Sequence, residues 1–506
     1  MRTIKALSVA ALALSLLSSC ATKYSRSPAA PTAAPAPAPE VPAAGGTTSN
    51  CLAAPFLVSN NPGQKPYNVP KDIALTRQAD ANCFAWQEFI ALNWAASSAM
   101  RGQPDPNAPA SQFGEPNDQR PTVWESYKES DEVFLADARD PGPWNTWFNG
   151  VNVKVLGGML SEFSPEPILD LSNIGQASPG NPWLTAQNKL LTLYERRMNE
   201  DEYNYIVGNK LYDADVQQAF VQSPGINLPD GTAASAPYGT VGSIETKAAW
   251  LELPNPADWP RYKISKAVVS YPGQQPKTVI VGLVGLHIIH KTALGQQFIW
   301  ATFEHKQNGP DRLQVAKKAF NPPYTYYNPA CDPKTDYYKC VANANPSEIN
   351  NGKNPFDAPI QVVRETPIPS RPNNDVVGLN RYVWDQIAAQ NRNSVFLNYE
   401  LVNTLWSNQN TPIQPGAHIP LIAAQLSPGP SQEPVANTTM ETYVQSLTCL
   451  SCHASAAIAT VTPVGSTKIY DPATAGTPAT QQNPYAADYS FLLNNAQQPK
   501  ANKGNH

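Results

Sequence analysis

The sequence predicts an α+β fold: a large mixed body with a β-rich middle region and a helical C-terminal region. Three observations predict it. Residues 81–98 place Cys83, Trp86, Ile90 and Trp94 at helical spacing. Residues 240–306 hold four segments rich in Val, Ile and aromatics, cut by Pro and Gly. Helical patterning then returns over 377–407 and again ahead of the C-terminus.

In chain order, 81–98 reads as a buried helix, because its opposite face is apolar too. A second helix is expected over 184–207, with Leu190, Tyr194, Met198 and Tyr205 on the period and Gly208 at the C-cap. Strands are expected at 242–252, 262–272, 277–291 and 297–306. A helix fills 377–407, and Pro-rich loops fill 408–436. The next helix begins near Asn437, where Thr438 and Glu441 have the offset of a capping box. Met440, Val444 and Leu447 form its inner stripe, and a short helix around 487–496 precedes a polar tail.

Residues 1–19 read as an export signal. Arg2 and Lys5 precede an apolar run, Ala6 to Leu17, too short to span a bilayer comfortably. Leu17-Ser18-Ser19-Cys20 resembles the lipobox of bacterial lipoproteins, which implies that Cys20 becomes the first mature residue and carries lipid. A signal peptide cut elsewhere is the alternative. Ala21 follows rather than Asp, which by resemblance to Gram-negative lipoproteins implies the outer membrane. Residues 20–50 would be the lipidated Cys and a linker in which Pro alternates with Ala; such a chain is extended and packs no core. At about 3 Å per residue it reaches roughly 90 Å. The expected location is the periplasmic face of a bacterial membrane, with the lipid as membrane anchor.

Lys and Arg number 36 against 40 Asp and Glu, with no basic stripe, so nucleic acid is not an expected partner. There is no Gly-rich phosphate loop and no nucleophile elbow.

The most informative residues are Cys449-Leu450-Ser451-Cys452-His453. Cys-x-x-Cys-His is the attachment signature of c-type haem. Two thiols add to the vinyl groups of one macrocycle, and the adjacent imidazole becomes the proximal iron ligand. The expected cofactor is one covalently attached haem c, held by Cys449 and Cys452 with His453 on the iron. A thioredoxin-like motif would be expected near a βαβ pattern, and a zinc site would need two more ligands nearby; neither is evident. Haem attachment happens outside the cytoplasm, so the motif and the export signal agree. Residues 51–430 would form the α+β body and 431–506 the haem-binding region.

Setting aside Cys20, Cys449 and Cys452 leaves Cys51, Cys83, Cys331 and Cys340. An even remainder in an oxidising compartment suggests two disulfides. Cys331–Cys340 is the most natural of three connectivities, closing a short polar loop. Cys51–Cys83 would then pin the start of the body to its first helix. Buried thiols are the alternative.

Phe84–Trp94, Gly285–Thr292 and Trp300–His305 resemble segments of a bacterial protein family that carries one cytochrome c signature and has no established activity. The resemblance covers most of the body. It implies the architecture and leaves function to the site.

Function turns on the sixth iron ligand. Small cytochromes c use a Met well downstream of the haem motif, and no Met follows His453. Met440 lies too close before the motif, and Met198 fits a core stripe. Among histidines, His287 and His290 are three apart and point to opposite faces of a strand. The preferred distal ligand is His305, then His287, because both lie in the apolar, aromatic β region; each also has an ordinary reading as a hydrogen-bonded structural histidine. His418 and an open distal site remain. The expected function is electron transfer with periplasmic redox proteins as partners. The alternatives are a haem enzyme of peroxidase-like or oxygenating type, and a binding module with a structural or sensory haem.

Overall fold

The computed structural model describes residues 57, 65–147, 154–156, 176–177, 182–235, 237–271, 274–349, 355–407, 411–419, 434–461 and 483–499. All belong to one unit, Thr48–His506. The expected signal peptide, Cys20, the linker and Cys51 lie outside the described residues.

The long strand β6 (Lys277–His290) organises the fold. Its Gly285-Leu-His-Ile-Ile-His run alternates side chains between two buried faces, as a strand covered on both sides requires. Along one edge it pairs antiparallel with β4 (Ile244–Glu252). Along the other edge it pairs with β5 (Ile264–Val269) in its first half and β7 (Ile299–His305) in its second. β3 (Thr192–Met198) and the short β1 (Lys128–Glu129) extend the sheet beyond β4. β2 (Lys154–Leu156) extends it beyond β5, and β8 (Tyr399–Trp406) beyond β7. The result is an eight-stranded, mostly antiparallel curled sheet. With seven α-helices among the described residues, the protein is α+β.

One face of the sheet is covered by α1 (Gln78–Leu92). Trp86 and Phe89 of α1 pack edge-on and tilted against Phe303. The same face buries an ion cluster. Lys154 lies between Glu125 and Glu195, Arg197 meets Glu195 at 2.9 Å, and Lys263 meets Glu125 at 2.9 Å. Each carboxylate contacts two cations, which offsets desolvation that neither could bear alone. Burial would raise the Glu125 carboxyl, but Lys263 and Lys154 hold it down at about 2.

The second face carries three cross-strand rows. Arg196, Lys247, His287 and Thr302 stand in register; so do Tyr194, Ala249, Gly285 and Glu304, and Met198, Glu245, Ile289 and Trp300. The segment from Asn437 onward lies on this face. Tyr194 Oη donates to the Thr439 carbonyl at 2.6 Å. Asn437 Nδ2 donates to Thr302 Oγ1 at 3.0 Å and to the Phe303 carbonyl at 2.8 Å. Glu304 accepts from both the Thr438 N–H and its hydroxyl, each at 2.8 Å.

All four strands expected over 240–306 are present, and 81–98 contains a buried helix that stops at Leu92. Four expected helices need correction. The 184–207 segment is β3 followed by α2 (Glu200–Gly208), which starts where Asn199 Oδ1 accepts the Glu202 N–H. Leu190, Tyr194 and Met198 fit a period of four, but Tyr194 and Met198 also fit a period of two, and pairing with β4 decides. The 377–407 segment is helical only over Val376–Gln390; its end is β8, drawn to the open edge of β7. The helix expected from Asn437 is a run of turns, and among the described residues from there onward the only α-helix is Cys449–His453. Glu304 takes the Thr438 donors that a helix would have used. Residues 487–496 shrink to a single 3-10 turn, Leu492–Asn495. Cys331 and Cys340 form the expected disulfide. Cys83 is also disulfide-bonded.

Gly285 lies beneath the Asn437 turn. A Cβ there would stand 2.3 Å from Thr439 Oγ1 and 2.8 Å from Asn437 Oδ1. Gly285→Ala should therefore cost about 1–3 kcal/mol in urea unfolding. An unchanged midpoint would mean that this segment does not rest on β6.

Candidate functional site

Thr448 starts the short helix that carries the Cys-x-x-Cys-His motif. Its hydroxyl accepts the Ser451 N–H at 3.2 Å, and Ser451 Oγ accepts the Thr448 N–H at 2.9 Å. The reciprocal pair nucleates one turn in a sequence with little helical reach of its own. Three positions apart on that turn, Cys449 and Cys452 share one side. Both remain thiols and both are half-buried. Burial pushes the Cys449 thiol well up, and the charges of Glu441 and Cys452 add to the shift.

His453 closes the turn, and its ring is clasped. Trp300 lies 4.4 Å away on one side and Phe491 4.8 Å away on another. Its Nδ1 is 2.9 Å from the Tyr489 carbonyl. A carbonyl only accepts, so Nδ1 carries the proton and Nε2 keeps its lone pair. Burial pushes the imidazole pKa down to about 4 against the opposing pull of that carbonyl. The ring is neutral at physiological pH.

His287 is the second histidine at this face. Its Nε2 is 3.0 Å from Glu441 Oε1, and it lies close enough to His453 to help lower that ring's pKa. Burial alone would raise the Glu441 carboxyl, but His287, Lys247 and the Asn437 N–H hold it below its ordinary value. Lys247 stands beside His287 in register and also acts on Cys452. Burial lowers its ammonium to about 8, Glu441 opposes, and the like charge of Arg196 adds to the lowering.

His305 is placed elsewhere. It lies on the opposite face of β7 from Trp300, five residues or roughly 16 Å along the strand. Its Nε2 meets the Arg261 carbonyl at 3.0 Å and its Nδ1 accepts from the Gln307 N–H at 3.2 Å. Both nitrogens are engaged, Tyr262 stacks on the ring at 4.3 Å, and the motif is out of reach. Of the two histidines favoured by the sequence, the structure brings His287 to the motif and not His305. His290 points away from His287, as strand geometry requires, toward Glu88 at 2.6 Å. His418 stacks on Tyr485. Met440 and Met198 are buried core residues.

Three features of the site escaped the sequence. Tyr489 contributes a backbone carbonyl, which no side-chain pattern announces. Lys247 lay in a strand with no visible link to the motif. Behind Tyr489 sits a buried carboxyl pair, Glu202 and Glu245, with Asp488 and Lys291 beside it. Burial raises Glu202 well above its ordinary value, and the neighbouring Glu245 adds to the rise. Burial raises Glu245 to about 7, with Ser490 and Glu202 hydrogen bonds opposing.

Comparison with known protein families, with curated proteins and with solved structures returned no match to this chain.

A carboxyl raised in the folded state stabilises most fully below its unfolded pKa, and that stability is lost as pH rises through the folded value. For Glu245 the window runs from 4.5 to about 7. Glu245→Gln should flatten the fall in melting temperature across this window, and should exceed the wild type above it. Parallel pH profiles for the two proteins would show that Glu245 does not hold the proton.

Proposed function

We propose that this chain is an exported lipoprotein carrying one covalently attached c-type haem, and that it acts in electron transfer with periplasmic redox proteins. Cys449 and Cys452 would hold the haem by thioethers, and His453 would bind the iron. The haem would supply a one-electron ferrous–ferric couple.

The observation that carries the reading is the state of His453. Its Nδ1–H is tied to the Tyr489 carbonyl, its Nε2 keeps a lone pair, and its burial keeps it neutral. Iron-ligating histidines need that arrangement: one nitrogen fixed by an outer partner, the other open to metal. Two thiols on the same helical turn complete the set. These residues fit the group. Trp300 and Phe491 fix the ring plane, and the surrounding apolar wall lowers the local dielectric, a lever on the potential.

The placement of His287 favours one further reading, a haem enzyme with an open distal site. An imidazole hydrogen-bonded to Glu441 beside the motif is equipped to move a proton.

An absorption spectrum separates these. The protein, matured in a host that attaches c-type haem, is purified and scanned oxidised and reduced, with and without carbon monoxide. A low-spin spectrum indifferent to carbon monoxide is expected for the carrier. A carbon-monoxide-sensitive spectrum with peroxide turnover that falls at least tenfold in His287→Ala would favour the enzyme. Chain that emerges without haem, although exported by such a host, would end both readings. Cys449→Ala with Cys452→Ala should abolish covalent haem staining.

A further inference from the structure

We infer that the buried ion pair Lys291–Asp488 is a positioning device for His453: it holds the turn at Asp488–Tyr489 so that the Tyr489 carbonyl stays on the His453 Nδ1–H. The inference rests on the reading of His453 as the iron ligand and extends it to what aims that ligand.

The backbone supplies the first argument. Asp488 has φ 50° and Tyr489 has φ 67°. Neither is Gly, and each left-handed residue costs roughly 1–2 kcal/mol. Two in succession, one of them a bulky aromatic, persist only where the surroundings over-determine the conformation.

The surroundings do so from one side chain. Asp488 Oδ2 accepts from Lys291 Nζ and from the Leu228 N–H at 2.7 Å. Lys291 Nζ also donates to Asn227 Oδ1 at 2.7 Å, and its own N–H is held by the Ser243 carbonyl at 2.9 Å. Both charged side chains are fully buried. Lys291 directly follows β6, so the anchor is part of the sheet that carries His287. The turn is clamped on either side, by the Ala487 N–H on the Ala456 carbonyl at 3.0 Å and by the Ser490 N–H on the Ala487 carbonyl at 3.0 Å. Between these clamps the Tyr489 carbonyl has one direction left, toward His453. Phe491, two residues on, meets the same ring.

The consequence is chemical. A carbonyl on Nδ1–H fixes the tautomer and makes Nε2 a better donor to the metal. A better donor favours ferric over ferrous iron and lowers the midpoint potential. If the turn relaxes, the bond weakens and the potential rises, by about 59 mV for each tenfold loss of ferric preference.

The test compares Asp488→Ala with Asp488→Gly. Both remove the carboxylate and strand Lys291 equally, so that loss cancels. Only Gly adopts the left-handed turn without strain. Two readouts are taken on the full-length protein: midpoint potential, and the His453 tautomer by 15N NMR of the imidazole. The expected result is a raised potential and mixed tautomers in Asp488→Ala, with both restored toward wild type in Asp488→Gly. Equal shifts in the two variants would assign the effect to charge and overturn the inference, as would no shift in either. Should Asp488→Ala not fold, Lys291→Gln takes its place. Mixed tautomers there support the device, and an unchanged Nδ1–H tautomer overturns it. The tautomer readout needs no haem, so failure of the haem reading and failure of this one are separate results.

Discussion

The polar seam between Asn437–Glu441 and strands β6 and β7 is the constraint on which the site depends. Asn437, Thr438, Thr439 and Glu441 all reach the sheet, through Thr302, Phe303, Glu304, Tyr194 and His287. All but the half-buried His287–Glu441 bond are buried, so breaking any of those would leave an unsatisfied group. They set where the chain can go next. Eight residues after Glu441 the Cys449–His453 turn begins, and it comes down over Trp300 at the end of the same face. Gly285 makes the approach possible, because no other residue leaves room for the Asn437 turn.

Charge is buried in three different ways around this seam, and each has a different effect. The Lys263–Glu125–Lys154–Glu195–Arg197 cluster lies on the far face, alternates cations with carboxylates, and ties β2, β3 and the 124–126 turn together. Lys291–Asp488 is a single pair that anchors a strained turn. Glu202 and Glu245 are two carboxyls side by side, and burial together with their mutual repulsion raises Glu202 well above its ordinary value. Against this background His453 stays neutral, since burial removes the proton that any nearby carboxylate would otherwise favour. With Nδ1–H held by the Tyr489 carbonyl, the neutral ring leaves a lone pair on Nε2.

Where local patterning misled, the reason is competition between periods. In 184–207 the apolar positions satisfy both a helix and a strand, and β4 offers a row of unpaired donors and acceptors that helix formation would leave unmet. At 399–406, Tyr-Glu-Leu-Val-Asn-Thr-Leu-Trp is rich in strand formers, and the preceding helix hid that change of period. At 437–448 the side chains suited to a helix cap, Thr438 and Glu441, found stronger partners across the interface, Glu304 from strand β7 for one and His287 from β6 for the other. Long-range burial outweighed local propensity in all three.

What the sequence determined by itself was chemistry that is local along the chain. Cys449, Cys452 and His453 stand out because they lie within five residues of one another, and Cys331 and Cys340 pair across a loop too short to need tertiary help. The strands of 240–306 are legible because a sheet covered on both faces favours runs of Val, Ile, Leu and aromatic side chains, cut by Pro and Gly at the turns. The choice between His287 and His305 was not legible, since both sit in similar apolar strands. Only the sheet register and the parity of residues along β7 turn one toward the motif and the other away. The hold on His453 was further out of reach. It is a backbone carbonyl, aimed by an ion pair whose members are 197 positions apart in the chain, and a contact of that kind exists only once the sheet has brought them together.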